Sequence, residues 1–363
     1  MTIHGGDVWQ VADELGIAPS ELLDFSANVN PRGLPPRAIE RLARDAAQAQ
    51  WLQRYPDPSA RALRQALSER LGVAPEAIVI GPGAAALLAP ALRATGATSA
   101  LVPVPAFSEY RRVCAQRDVQ FVPWHLNRSA DFLLTAGSFG NAIRTGRYGA
   151  IILNNPHNPS GTLLDFSQIR RILDEAEACG TAVLLDEAFI DYAPEHTLVR
   201  EAAIRPGLIV VRSLTKFYGC PALRIGYAVA HPDAIAKIRA SLPAWPVTQL
   251  AIDALAEALR DPSYEEDTLR ENRTERERLR GALASLGLAV LPSHANYLLA
   301  ELAPSMPRSS QLQMRMVLNH RILIRNCDSY EGLETGRWIR LAVRSNPENM
   351  RLMEALNEEL KSL

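Results

Sequence analysis

The chain has 363 residues, 47% of them hydrophobic and 22% charged, and its 39 Lys and Arg against 40 Asp and Glu give a formal net charge of −1. That length accommodates a large α/β domain and a smaller one, while the near-neutral charge implies no global electrostatic pull toward nucleic acid or an anionic membrane. No apolar run reaches the roughly 18 residues of a membrane helix, and four scattered cysteines with no C-x-x-C pair suit a reduced, cytoplasmic protein better than a disulfide frame or a metal site.

The start, Met1-Thr2-Ile3-His4-Gly5-Gly6-Asp7, lacks the basic and apolar regions of a signal peptide. Val8, Val11, Ala12 and Leu15 recur at helical spacing and predict a helix over 7–16. Leu23 to Pro36 is punctuated by Ser, Asn, Gly and Pro and reads as a loop. Its polar density suits a binding loop or a plain surface turn equally. A helix over 36–49, a loop at Arg54-Tyr55-Pro56-Asp57-Pro58 and a helix over 60–71 follow.

From there strands and helices alternate. Strands are predicted at 78–80, 100–102, 119–122, 150–153, 181–186, 208–211 and 225–230. Helices are predicted from Gly83 to about Arg93, over 107–117 and over 165–178, and the stretch Asn154 to Gly161 must be a loop. Short strands apolar throughout, alternating with helices, indicate an α/β fold with a mainly parallel sheet covered on both faces. Residues 231–287 read as largely helical, and the charged run from Tyr264 to Arg280 as a solvated helix face. Beyond 288 the pattern becomes α+β, with strands near 288–291, 296–300, 322–325 and 338–343 and helices over 309–319 and 346–361. The expected organisation is an N-terminal arm (1–35), a large domain (36–245), and an interdomain helix with a small C-terminal domain (246–363).

Ligands of such sheets gather at the carboxyl ends of strands, and Gly83, Asn158, Asp186 and Lys216 all follow strand ends. A lone lysine beside an apolar strand is usually structural. Lys216 lies in Arg212-Ser213-Leu214-Thr215-Lys216, with Arg224 eight residues on, so a cation and hydroxyls that suit a phosphate accompany it. Asp186 ends a strand of Ala, Val and Leu, where an isolated carboxylate is costly unless it faces a cation. Its bland alternative is a helix cap. Gly81-Pro82-Gly83-Ala84-Ala85 ahead of a helix presents backbone N–H groups, a weak phosphate signal by itself. A Schiff-base lysine, an acid for a pyridinium nitrogen and a phosphate seat together suit pyridoxal phosphate.

These motifs, with Asn155-Pro156-His157-Asn158-Pro159-Ser160-Gly161 and Asp186-Glu187-Ala188, resemble those of fold-type I pyridoxal phosphate enzymes of the aminotransferase superfamily. His4-Gly5-Gly6 and Arg321-Ile322-Leu323-Ile324-Arg325 are similar to the threonine-phosphate decarboxylase branch, relatives of the histidinol-phosphate aminotransferases, and the likeness runs nearly end to end. The resemblance implies a large domain with a mainly parallel sheet, a small C-terminal domain, and a homodimer with shared sites. It implies that Lys216 forms the Schiff base, Asp186 meets the ring nitrogen and Asn158 bonds the phenolic oxygen. Ser213, Arg224 and the N–H groups of Gly83, Ala84 and Ala85 would hold the cofactor phosphate, joined by Tyr55 of the neighbouring subunit. Phe107 would stack on the ring or serve as a core aromatic. His4, Gly5, Asn30, Asn158, Arg325 and Arg340 would meet the substrate, with the division of phosphate and carboxylate between the two arginines left open.

Two positions depart from the family pattern. After the second glycine of the phosphate loop stands Ala84 rather than a hydroxyl or acid, and position 189 is Phe where many aminotransferases have Tyr. The implied reaction is decarboxylation of O-phosphothreonine, with transamination of histidinol phosphate or a relative as the alternative. A non-catalytic regulator carrying the same cofactor domain would need an added DNA-binding segment, and no basic recognition helix precedes the matched residues.

Overall fold

The computed structural model describes residues 5–48 and 52–361. The chain opens with α1 (Val8–Leu15), capped by the Asp7 side chain, then β1 (Leu23–Asp24), α2 (Pro36–Ala46) and α3 (Arg61–Leu71). The central series follows: β2 (Ile78–Gly81), α4 (Ala84–Thr95), β3 (Ser99–Val104), α5 (Glu109–Gln116), β4 (Gln120–His125) and α6 (Ala136–Gly146). It continues with β5 (Ala150–Asn154), α7 (Phe166–Ala178), β6 (Ala182–Asp186), β7 (Leu208–Ser213), α8 (Leu214–Phe217) and β8 (Gly226–Ala230). Three helices come next, α9 (Pro232–Ala240), α10 (Gln249–Ala258) and the long α11 (Pro262–Ser285). The last part contains β9 (Ala289–Val290), β10 (Tyr297–Glu301), α12 (Ser309–His320), β11 (Ile322–Leu323), β12 (Arg325–Asn326), β13 (Trp338–Ala342) and α13 (Asn346–Lys361).

The larger sheet has the order β2-β8-β7-β6-β5-β3-β4. β7, β6, β5, β3 and β4 run parallel, and β8 is antiparallel to both of its neighbours. Strand alternation explains why these strands are apolar at every position. Ile151 and Leu153 enter one core with Leu63, Leu67 and Ile169, while Ala150 and Ile152 enter the opposite core with Leu87, Leu88 and Val113. A strand buried on both faces has no polar side to show. The smaller sheet, β12-β13-β10-β9, is antiparallel and carries its own core with Leu298, Leu341, Leu312 and Leu352. α11 joins the two: Tyr264 belongs to the first core, and Leu279 and Leu283 to that of the smaller sheet.

Several elements differ from the sequence-based expectation, among them short helices at Val199–Ala202 and Leu214–Phe217. Leu23–Asp24 is not loop but a parallel strand on β11; two residues are too few to show a period, and the partner lies some 300 residues away. The single strand expected over 322–325 is split, its first half pairing β1 and its second half β13. α6 was not expected at all, because Gly137, Gly140 and Gly146 dilute its pattern, yet Phe139 and Ile143 anchor it by full burial.

Candidate active site

Because β2, β5, β6 and β7 point the same way, their carboxyl ends open on one side of the sheet, and a cavity of about 210 Å³ lies there. Most of the residues singled out from the sequence line it: Gly5, Gly83, Ala84, Ala85, Phe107, Asn158, Asp186, Ser213, Lys216, Arg224, Arg325 and Arg340. Four of these are cationic, and Asp186 is the one acid among the described lining residues.

At one end, Gly83 precedes α4 with a φ of 94°, and no side chain caps the first N–H groups of this helix. A Cβ on Gly83 would come within 3.1 Å of Arg224 Nη2, so the guanidinium lies directly beside the loop. Gly226 is equally constrained, since a Cβ there would come within 2.6 Å of the Ala84 nitrogen. The Ser213 and Thr215 hydroxyls are 2.8 Å apart. Uncapped N–H groups at a helix N-terminus, a guanidinium and two hydroxyls make an anion seat.

In the middle of the cavity are Lys216 and Asp186. Burial, then the positive fields of Arg340 and Arg224, lower the Lys216 pKa to about 8 against the pull of Asp24 and Asp186. A substantial share of this amine is therefore neutral and nucleophilic near physiological pH. Burial raises the Asp186 pKa to about 6, opposed by the Tyr110 hydroxyl, the Ala188 N–H and Lys216. Tyr110 Oη donates to Asp186 Oδ2 at 2.7 Å, and the Ala188 N–H donates to Oδ1 at 2.9 Å. Phe107, two residues ahead of α5, lines the cavity and meets Tyr110 edge to face.

Two further cations line the cavity. Arg325 and Arg340 are each only 6% exposed. Arg340 Nη1 donates to Asn158 Oδ1 at 2.7 Å and to Tyr330 Oη at 3.0 Å, while Nη2 donates to the Ser26 carbonyl at 3.0 Å. With Oδ1 of Asn158 also accepting from Tyr330, the amide nitrogen is the group left for a ligand. Arg325 Nη2 donates to Ser329 Oγ at 2.9 Å, and burial lowers its pKa. The Nε of Arg340 is buried without a hydrogen-bond partner. Such an excess of buried positive charge needs anionic ligands.

Two of the expected residues that the structure describes, Tyr55 and Asn30, do not line the cavity. His4 lies outside the described residues. Tyr55 is exposed and stacks on Trp245 at 4.2 Å, away from the cavity of its own chain. Asn30 must be corrected: its amide donates to the Phe217 carbonyl, Tyr264 Oη and Thr268 Oγ1, so it braces the lysine loop from behind. The cavity instead receives Asn28, two residues earlier, buried and with Oδ1 unpartnered. The Asp24 carboxylate accepts from the Ser26 and Ala27 N–H groups, and this tight turn is what presents Asn28. Gly5 packs against the same turn, where a Cβ would come within 2.2 Å of the Ser26 oxygen. Tyr110 and Tyr330 were also missed. Each stands among polar and charged sequence neighbours that give no sign of a buried site, and only the hydroxyl contacts reveal its role.

The donor set fits pyridoxal phosphate. An amine of lowered pKa, a buried carboxylate, a free amide nitrogen, a seat for a phosphate and a ring at the cavity wall are all present, and the unpartnered Arg340 Nε leaves capacity for a second anion.

Comparison with known proteins agrees. A family model described as aminotransferase class I and II matches residues 20–356. A threonine-phosphate decarboxylase from Salmonella typhimurium is 36% identical over 363 aligned residues, covering 99% of this chain and 97% of that protein. Among solved structures, the histidinol-phosphate aminotransferase from Clostridium acetobutylicum has a TM-score of 0.85 at 27% identity, covering 94% of this chain and all of that one. The L-threonine-O-3-phosphate decarboxylase from Porphyromonas gingivalis has a TM-score of 0.80 at 26% identity with the same coverage.

Proposed function

Since the chain belongs to the aminotransferase class I and II family, whose members use pyridoxal phosphate, we propose that it decarboxylates O-phospho-L-threonine to (R)-1-aminopropan-2-yl phosphate and carbon dioxide. The observation that carries this reading is the pair of buried arginines, Arg325 and Arg340, that line the cavity in addition to Arg224 beside the phosphate seat. Histidinol phosphate brings one anionic group; phosphothreonine brings a phosphate and a carboxylate, and two fixed cations supply a partner for each. The decarboxylase relative at 36% identity supports the same choice, and the name of a second relative, 28% identical, places it in adenosylcobalamin biosynthesis, the pathway to which we assign this enzyme.

The bound cofactor supplies an electron sink for the bond broken at the substrate Cα. Lys216 Nζ would hold the cofactor, its lowered pKa supplying the neutral amine that attachment requires. Ser213, Arg224 and the N–H groups of Gly83, Ala84 and Ala85 would hold the cofactor phosphate, and Asp186 would pair with the ring nitrogen. Asn158, its amide oriented by Arg340, would donate to the phenolic oxygen. Phe107 would pack on the ring. Arg325 and Arg340 would hold the substrate's anionic groups and so orient the bond at Cα that breaks, with Asn28 and Gly5 lining the same cavity; His4 is assigned to the substrate with them. Positioning of this kind selects which bond breaks. Lys216 Nζ then delivers a proton to Cα.

The reading carries further assignments: a cytoplasmic homodimer in which Tyr55 reaches the partner's phosphate seat, and functional units at 1–35, 36–245 and 246–363. Its test is to incubate cofactor-loaded protein with O-phospho-L-threonine in the absence of a 2-oxo acid. Equimolar carbon dioxide and aminopropanol phosphate are expected. No release, together with transamination of histidinol phosphate to a 2-oxo acid acceptor, would move the enzyme to the aminotransferase alternative.

A further inference from the structure

Asp186 is approached by ionisable or polar side chains from several elements: Tyr110 from α5, Lys216 from α8, and Tyr297 from β10. Tyr330 stands in the same field through Tyr110. Of these, only Tyr110 is hydrogen-bonded to the carboxylate, through Oη to Oδ2 at 2.7 Å. Tyr110 is 2% exposed, so water does not compete for its hydroxyl, and burial keeps it protonated at all working pH values. It is therefore a permanent donor. α5 thus carries a device on one turn: Phe107 ahead of the helix faces the cavity, and Tyr110, edge-on to it at 5.8 Å, holds the acid.

We propose that Tyr110 is a positioning residue for the cofactor: by donating to Asp186 it keeps that carboxylate ionised and aimed at the ring nitrogen. The inference rests on the reading of this cavity as a pyridoxal phosphate site. Without the donor, desolvation would dominate and Asp186 would take up a proton at higher pH. A protonated acid no longer favours a pyridinium, and the ring is then a weaker electron sink. A purely structural tyrosine would do none of this; it would only satisfy its own hydroxyl.

The test uses pyridoxamine 5′-phosphate, which cannot form a Schiff base and so removes Lys216 attachment from the measurement. Its dissociation constant from cofactor-stripped protein is measured between pH 5 and 8 for the wild type and Tyr110→Phe. In the wild type, affinity should fall as the pH drops through about 6, where Asp186 takes up its proton. In Tyr110→Phe this midpoint should move up by roughly one pH unit, the effect of losing one hydrogen bond to a charged group. The phosphate's own second ionisation near pH 6 is common to both proteins and drops out of the difference. In an Asp186→Asn background, Tyr110→Phe should change affinity by less than about twofold, because no acid remains to titrate. An unshifted midpoint in Tyr110→Phe, or a large further loss in the Asp186→Asn background, overturns the proposal. Failure of the wild type to bind the probe would instead overturn the cofactor reading.

Discussion

The reactive amine should make the cofactor-free protein less stable, and replacing it should show this directly. Lys216 titrates near 8 in the fold instead of its ordinary 10.5, chiefly through burial and then the fields of Arg340 and Arg224. At about 1.4 kcal/mol per pH unit, that difference corresponds to about 3.5 kcal/mol at most; solvent reaching the half-buried side chain through the cavity brings the expected effect nearer to about 2 kcal/mol. The sign follows from proton counting. Because the folded pKa is the lower one, the unfolded chain binds the extra proton between pH 8 and 10.5, and stability rises with pH across that window. Below pH 8 the destabilisation is fully present; above 10.5 it is gone. Cofactor-stripped Lys216→Met should therefore resist urea more than stripped wild type at pH 7, with the gap closing as pH rises from 8 to above 10. Lys216→Arg, which keeps the charge, should show no such gain. Equal or lower stability of Lys216→Met at pH 7, or a gap independent of pH, would refute the argument that this site holds its amine at the expense of folding.

Arg340→Met removes the donor to Asn158, Tyr330 and Ser26 and one anion partner together; kcat/KM for phosphothreonine should fall roughly a hundredfold or more, the scale of about 3 kcal/mol for a buried charged contact. Asn30→Ala should lower the urea midpoint by the equivalent of about 2 kcal/mol with KM within twofold, because its amide bonds only the protein. Asn28→Ala should do the reverse, raising KM at unchanged stability, as expected of a cavity residue with an unpartnered Oδ1. Gly83→Ala should weaken cofactor binding at least about tenfold, since its φ of 94° strains an alanine and the new methyl presses on Arg224. Gly281→Ala, mid-helix with open space around it, should stabilise the protein by up to about 1 kcal/mol and leave binding alone.

The sheet and the cofactor half of the site were legible in the chain because both are local. An apolar strand ending in Asp186, a strand ending in Ser213 with Lys216 three residues on, and a Gly-Pro-Gly turn into α4 each declare a strand end, and a parallel sheet must bring strand ends together. Nothing in periodicity separates Asn28 from Asn30. The choice is made by the Asp24 turn, by Arg340 clasping the Ser26 carbonyl, and by Tyr264 and Thr268 claiming the Asn30 amide. β1 and β11 were hidden for the same reason, each being two residues long and meaningful only beside the other. Tyr110 and Tyr330 are buried among core residues although their sequence neighbours are polar; their hydroxyls acquire a function only where a distant chain segment supplies Asp186, Asn158 or Arg340. Sequence by itself determined the α/β architecture, the candidate lysine, acid and phosphate seat, and the arginines. Tertiary structure alone decided which polar side chains of the N-terminal loop face the cavity and what orients each charged group. Those choices depend on contacts between segments up to 314 positions apart, which no local pattern records.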